Sequence, residues 1–246
     1  MALGKPQPKS AVDEENPYWM SFSDILSALL VIFILASVIL ILQLMQRKQE
    51  FDDEVRTLER AEQVRRTILE EAHEELLSRG IQVEISENDS VLRIPNELLG
   101  FESGEFELHP RYAPTAFEIG EVLDRVISKG DRAAFLDTIF VEGHTDNRAF
   151  QGLLGKGNWG LSTFRAISLW EFWIETLPPE HRLDRFKNSA MEPLFSVSGY
   201  AQTRPVTLGD TEADLRRNRR IDIRFTIRRP ESGEYKGVGS LLGGDK

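Results

Sequence analysis

Between Ile25 and Leu42 the chain carries no charged residue and only two hydroxyls, Ser27 and Ser37, in a run of leucine, isoleucine, valine and phenylalanine. At ~1.5 Å per helical residue this run is long enough to cross a ~30 Å hydrocarbon core, so the pattern predicts a membrane span over residues 16–45. Asn16 suits the N-cap, and Pro17 suits the first helical position, where a missing N–H costs nothing. From 46 to 79 charges of both signs are interspersed without glycine or proline until Gly80, which predicts a linker helix with a stop. Phe51, Val55 and Leu58 begin an apolar seam there, and Leu69, Ala72 and Leu76 continue it in heptad register. Glu62 and Arg65 fall on the seam between them, with Ala61, Val64 and Ile68 offset by one. This broken seam admits two readings, a helix that packs differently in two states and a solvated spacer.

Beyond Gly80 the pattern alternates between strand and helix. Residues 81–85 and 91–94 flank a turn-rich break at 87–90 and read as a β-hairpin, and 101–108 reads as a loop. Residues 112–127 have helical periodicity, with Ala116, Ile119, Val122, Leu123 and Val126 on one side. Strands are predicted at 135–141, 194–197 and 221–227, and a strongly apolar helix at 161–176. Strands alternating with helices imply a sheet covered on one face, an α/β (α+β) sandwich over residues 80–230.

The chain has 246 residues, a formal net charge of -10 and no cysteine. Subtracting the span leaves one domain large enough to bury its own core. The acidic balance argues against direct nucleic-acid binding, which needs a concentrated basic face. Without cysteine there are no disulfides and no thiol-based redox or zinc sites, and no metal or cofactor is expected. Residues 1–15 read as a polar tail and 231–246 as a flexible, glycine-rich one. The span reads as an uncleaved signal anchor, because no small-residue cleavage site directly follows it.

Asp24 lies two turns inside the predicted span. An ionisable residue there is expensive and tends to face a protein interior or a water-filled path. Met20, Ser21, Ser27 and Ala28 share its helical face, which is small and polar and suits packing against other helices. The blander reading puts Asp24 near the headgroups, favoured by the positive helix N-terminus.

Four segments carry a resemblance: FESG at 101–104, FVEGHTD at 140–146, NWGLSTFRA at 158–166, and SGYAQTRP at 198–205 followed by RNRRIDI at 217–223. Together, in this order, they resemble the OmpA-like peptidoglycan-binding domain. The resemblance implies that Asp146 and Arg165 grip the zwitterionic end of a diaminopimelate side chain. A carboxylate complements the ammonium, and a guanidinium holds the carboxylate through two parallel hydrogen bonds. Both are then expected at a surface site. Asn158 matches the family's asparagine at the helix start, and Asn218, Arg219 and Arg220 its NRR, one of these arginines being structural. Thr145 and Arg219 join the peptidoglycan-binding candidates, although Thr145, like Leu161, also suits a framework role. The sequence departs from the family in a long interval between Asp146 and Asn158, in Arg148-Ala149 where glycine is common, in an expansion at 177–191, and in Ala201.

His144 and Asp146 could suggest a general base with its orienter. No nucleophile motif or HExxH accompanies them, so no catalytic residue is assigned and no enzyme is expected. His144 is then expected to be a turn residue bonded to backbone.

One membrane helix bearing an aspartate, a charged linker helix and an OmpA-like domain resemble the flagellar stator B subunit. The wording SFSDILSALLVIFIL and the expanded loops are closer to the B subunit of Zorya anti-phage defence systems. That resemblance implies a homodimer within a pentamer of a multi-spanning A-type subunit, with Asp24 translocating H⁺ or Na⁺ and the domain bound to peptidoglycan. It also implies an inner-membrane protein with a cytoplasmic N-terminus and a periplasmic domain. The bare charge count argues the other way, because Arg47, Lys48, Arg56 and Arg60 follow the span and only Lys5 and Lys9 precede it. A flagellar-type stator subunit and a passive tether to peptidoglycan, with Asp24 incidental, are the alternatives.

Overall fold

The computed structural model describes residues 17–229 except 87, 88, 103, 153 and 154, with side chains from residue 21 onward. The expected tails, the Asn16 cap, the Met20 side chain and half of the turn at 87–90 lie outside the described residues. One helix, α1 (Pro17–Ser78), runs through the predicted span and the predicted linker, and Gly80 at φ +80° follows it. The chain divides into two units at Asp53/Glu54.

In the first unit the large apolar side chains from Phe22 to Met45 are exposed. Among the described residues this is the one helix long and apolar enough to cross a membrane, and it fits a single span. Asp24 is also exposed on it.

The second unit is a mixed sheet covered by helices on one face. Its strands are β1 (Glu84–Ile85), β2 (Val91–Pro95), β3 (Leu136–His144), β4 (Phe195–Gly199) and β5 (Arg220–Ile227), in the order β1-β2-β5-β3-β4. Only β3 and β4 are parallel; the β1–β2, β2–β5 and β3–β5 pairs are antiparallel. The helices are α2 (Asn96–Leu99), α3 (Ala113–Ile127), α4 (Gly157–Thr176) and α5 (Glu212–Asn218). The predicted hairpin is present but β1 is short, and β3 reaches His144 because Glu142 and His144 still pair with β5.

Alternation explains the layers. On β5, Ile221, Ile223 and Phe225 enter the core while Arg220, Asp222 and Arg224 take the opposite face. The core also takes in Ile68, Leu69, Ala72 and Leu76 of α1. The second unit therefore begins at Glu54 rather than at residue 80. Part of the apolar seam serves the domain's own core, Glu62 is exposed, and Arg65 donates to the Asp89 carbonyl at 3.0 Å. That half of the helix is neither a bare spacer nor free to pair along those residues.

The expansion at 177–191 is a packed cap. Leu177, Leu183 and Phe186 join the core, and buried Asp124 of α3 accepts from Arg185 and lies 2.8 Å from Nδ1 of His181. Helix α4 lies unusually close to the sheet at Gly143, where an added Cβ would meet the Ser162 carbonyl oxygen at 1.9 Å. This close approach sets the position of Arg165 one turn further along α4.

Candidate ligand-binding site

The loops that follow β3 and β4 are tied to each other and to the start of α4. Thr145 N–H donates to the Ala201 carbonyl at 2.9 Å, and Ala201 N–H donates to Ser162 Oγ at 3.0 Å. Ala201 holds φ +49°, the left-handed geometry that glycine adopts freely. Asn158, in the first turn of α4, donates through Nδ2 to the Arg148 carbonyl at 2.9 Å and to Gln202 Oε1 at 3.2 Å. Its role is thus to hold the long loop after Asp146 in place.

These ties create a cavity of about 80 Å³ that brings together all five predicted binding residues, Thr145, Asp146, Asn158, Arg165 and Arg219, with Arg148 beside them. Arg165 is 2% exposed. Its Nε donates to the Glu105 carbonyl at 2.8 Å and its Nη2 to the Glu102 carbonyl at 2.9 Å, and its guanidinium lies over the Phe101 ring. No carboxylate among the described residues pairs with it. Burial, reinforced by the Arg219 charge and countered in part by Asp146, pushes its pKa down to about 10. The Thr145 hydroxyl is buried without a hydrogen-bond partner.

Asp146 is already held within the chain. Arg219 Nη1 donates to its Oδ2 at 2.6 Å, and the Arg148 backbone N–H donates to Oδ1 at 3.1 Å. Arg219 also reaches Glu212 Oε1 at 3.1 Å, and Arg148 bonds the other oxygen of Glu212. Asp146 and Arg165 share a cavity but not a salt bridge, and both are buried rather than at the surface. The carbonyls of Glu102 and Glu105 were not foreseen, because a main-chain acceptor leaves no side-chain signature. Glu212 could have been found from Thr211-Glu-Ala-Asp214, whose reciprocal capping box starts α5.

Arg220, the neighbour of Arg219, is structural, as expected of one of the pair. It donates to Asp222 at 3.0 Å and to the carbonyls of Asn218 and Arg204. His144 departs from expectation: it is the last residue of β3, fully buried, and neither ring nitrogen has a hydrogen-bond partner. The antiparallel ladder with β5 extends three pairs beyond Val141, where the predicted strand ended, and Tyr200 stacks on the ring at 5.4 Å.

Among the described residues Glu142, His144 and Asp222 form a trio whose ligand atoms lie close enough to share a metal ion. The surroundings oppose it. Arg224 binds both oxygens of Glu142 at 2.8 and 2.9 Å, while Arg93 and Arg220 each take one oxygen of Asp222. Burial first, then the charges of Arg220, Arg204 and Arg93, lower the His144 pKa to about 3 against the pull of Asp222. A field that repels a proton also repels a divalent cation.

The second unit shares its fold with a MotB-like protein. A crystal structure of a MotB-like protein from Desulfovibrio vulgaris superposes with a TM-score of 0.51, over 70% of this chain and 99% of that one, at 19% identity. In sequence, motility protein B of Bacillus subtilis (strain 168) is 29% identical over 123 residues, which cover 50% of this chain and 40% of that protein. A second Bacillus subtilis protein, described as uncharacterized protein YtxE, is 33% identical over 87 residues, covering 35% of this chain and 31% of that protein. The chain thus spans well under half the length of the curated relatives it matches. No protein-family profile matches the chain.

Proposed function

We propose that this chain is a membrane-anchored, peptidoglycan-binding B-type subunit of an ion-driven motor. The observation that carries the binding half is Arg165, a buried guanidinium without a carboxylate beside a cavity that also holds an unpaired hydroxyl. An uncompensated buried charge is costly, and a ligand carboxylate would relieve it. The zwitterionic end of a wall-peptide diaminopimelate suits the remainder. Its carboxylate meets Arg165 and the Thr145 hydroxyl. Its ammonium meets Asp146, whose two oxygens retain lone pairs beyond the bonds to Arg219 and Arg148. Co-sedimentation of the full chain in detergent with purified sacculi tests this. Asp146→Ala and Arg165→Ala should each abolish most binding, and unimpaired binding by both would remove the assignment.

The motor half rests on Asp24 in an apolar helix, together with the resemblance to stator B subunits. In this reading Asp24 carries the ion, a multi-spanning A-type subunit surrounds a dimer of this chain, and the second unit lies on the wall side of the inner membrane. The apolar wording and the enlarged loops favour a Zorya-like role in phage defence over a flagellar one. Asp24→Asn preserves size and polarity but cannot titrate. It should leave insertion, assembly and wall binding intact while abolishing protection in a phage plating assay at matched protein levels. Full protection by that variant would leave the passive tether as the better account.

A further inference from the structure

The two edges of the sheet are finished differently. At one edge β1 is two residues long and starts with the exposed Glu84, a short, charged ending of the kind that resists pairing. At the other edge β4 reads Phe-Ser-Val-Ser-Gly over five residues, with no charge and no proline, and its register with β3 is unbroken. Ile139 N–H donates to the Leu194 carbonyl and Tyr200 N–H donates to the Gly143 carbonyl, so the even-numbered residues of this segment turn their main chain toward β3. Main-chain groups alternate in direction along a strand, which turns the N–H and C=O of Phe195, Val197 and Gly199 outward. None of these outward groups has a hydrogen-bond partner among the described residues. The helix above this edge is uncharged on the same side. Thr163, Ile167, Trp170 and Ile174 follow one another along one side of α4, and each is half-buried. They track β4 from end to end: Trp170 stacks on Phe195 at 5.3 Å, and a Cβ added to Gly199 would meet Thr163 Oγ1 at 2.2 Å.

We propose that β4 is the docking edge for a second copy of this chain, the two β4 strands pairing antiparallel about a twofold axis at Val197. About such an axis Val197 faces its own copy and Phe195 faces Gly199, so the outward N–H and C=O groups of both strands satisfy one another. Self-pairing also requires an edge without charge. A twofold axis sets each residue near its own equivalent, so a charged edge would repel its copy, and β4 carries none. The axis stands perpendicular to the sheet. Both α4 helices therefore stay on one face, their uncharged strips are brought together, and the two five-stranded sheets become one. The contact goes beyond the dimer proposed around Asp24, because two spans can pair while their second units stand apart.

The test exploits a chain that has no cysteine of its own. Ser196 is exposed on β4, and in this pairing it lies diagonal to its own copy at about 7–8 Å, within reach of a short bis-maleimide. In membranes holding the full chain, Ser196→Cys should couple into covalent dimers roughly tenfold faster than Glu84→Cys on the opposite edge, because pairing raises the effective concentration of one thiol about the other. Val197→Pro, added to Ser196→Cys, removes an outward N–H and no bond to β3, a position where an edge strand accepts proline. It should bring coupling down to the rate of Glu84→Cys, with thermal melts confirming a folded domain. Equal coupling of the two cysteines, faster coupling at Glu84→Cys, or undiminished coupling in a folded Val197→Pro chain overturns the proposal. Should the proline unfold the domain, the comparison of the two cysteines decides by itself.

Discussion

Two charged clusters stand side by side in the second unit, and they are built to opposite rules. In the sheet cluster, Glu142 and Asp222 lie directly across from each other on β3 and β5, yet every oxygen is matched by Arg93, Arg220 or Arg224. In the cavity, two residues beyond His144, Arg165 is buried with carbonyls alone and Thr145 keeps an unpaired hydroxyl. Consecutive arginines are divided between them, Arg219 to Asp146 and Arg220 to Asp222. The difference teaches where to look for a ligand. A buried charge that is fully matched holds the fold together, whereas one left with only dipoles is arranged for a partner from outside.

Breaking a matched pair should produce the largest effect on stability. Arg220→Met leaves Oδ2 of the buried Asp222 carboxylate unpaired while Arg93 keeps Oδ1, and we expect a loss of about 3 kcal/mol in urea unfolding of the full chain in detergent. The same shape of change at the unmatched arginine should behave otherwise. Arg165→Met removes a charge that has no acid partner, so sacculus binding should fall by about a hundredfold, or about 3 kcal/mol, while stability shifts by less than about 1 kcal/mol. Equal destabilisation by the two variants would erase the distinction between the clusters.

The histidine of the matched cluster sharpens the comparison through pH. His144 stays neutral in the fold down to about 3, against an ordinary value of 6.5, so the unfolded chain takes up the proton first as pH falls. Stability contributed by the neutral ring is complete above about pH 6.5 and is lost progressively below it, by about 2 kcal/mol between pH 7 and pH 5. His144→Phe should flatten that slope in thermal melts across this range. An unchanged slope would mean that other groups dominate the acid limb.

The smallest effect is expected at a partly exposed network. Glu71 on α1 binds Arg132 at 2.7 Å and Lys129 at 2.8 Å, and the bonds from Arg132 lead in lowering its pKa to about 2 despite some burial. Solvent screening reduces its worth, so Glu71→Gln should cost at most about 1 kcal/mol at pH 7, vanishing below about pH 2 as the carboxylate is protonated in both states. A loss as large as that of Arg220→Met would place this contact between α1 and the sheet-side loop among the matched buried pairs.

Much of this was legible along the chain because it is local. A charge-free run, a switch to alternating strands and helices, and a glycine after a charged helix each report the environment of their own segment. The same holds for the binding residues: all five candidates line one cavity because their motifs sit at the ends of β3, α4 and α5, which the fold converges. Local pattern also misled. His144 read as a turn residue because the strand pattern ended before it, and the seam of the 46–79 helix read as a two-state packing face or a solvated spacer because a stripe on a helix does not name what covers it.

What the sequence determined by itself is therefore the apolar helix with its aspartate, the α/β layering and the identity of the side chains at the cavity. What only the tertiary structure decided is which charges meet. Arg219 reaches Asp146 from 73 residues away and Arg224 reaches Glu142 from 82, and nothing in the spacing of an arginine distinguishes the one that finds a carboxylate from the one that does not. A guanidinium's partner is set by where the backbone brings it and by which oxygens burial leaves within about 3 Å. At Arg165 those oxygens are carbonyls, because Gly143 lets α4 descend onto the sheet and brings the guanidinium to the main chain of Glu102 and Glu105.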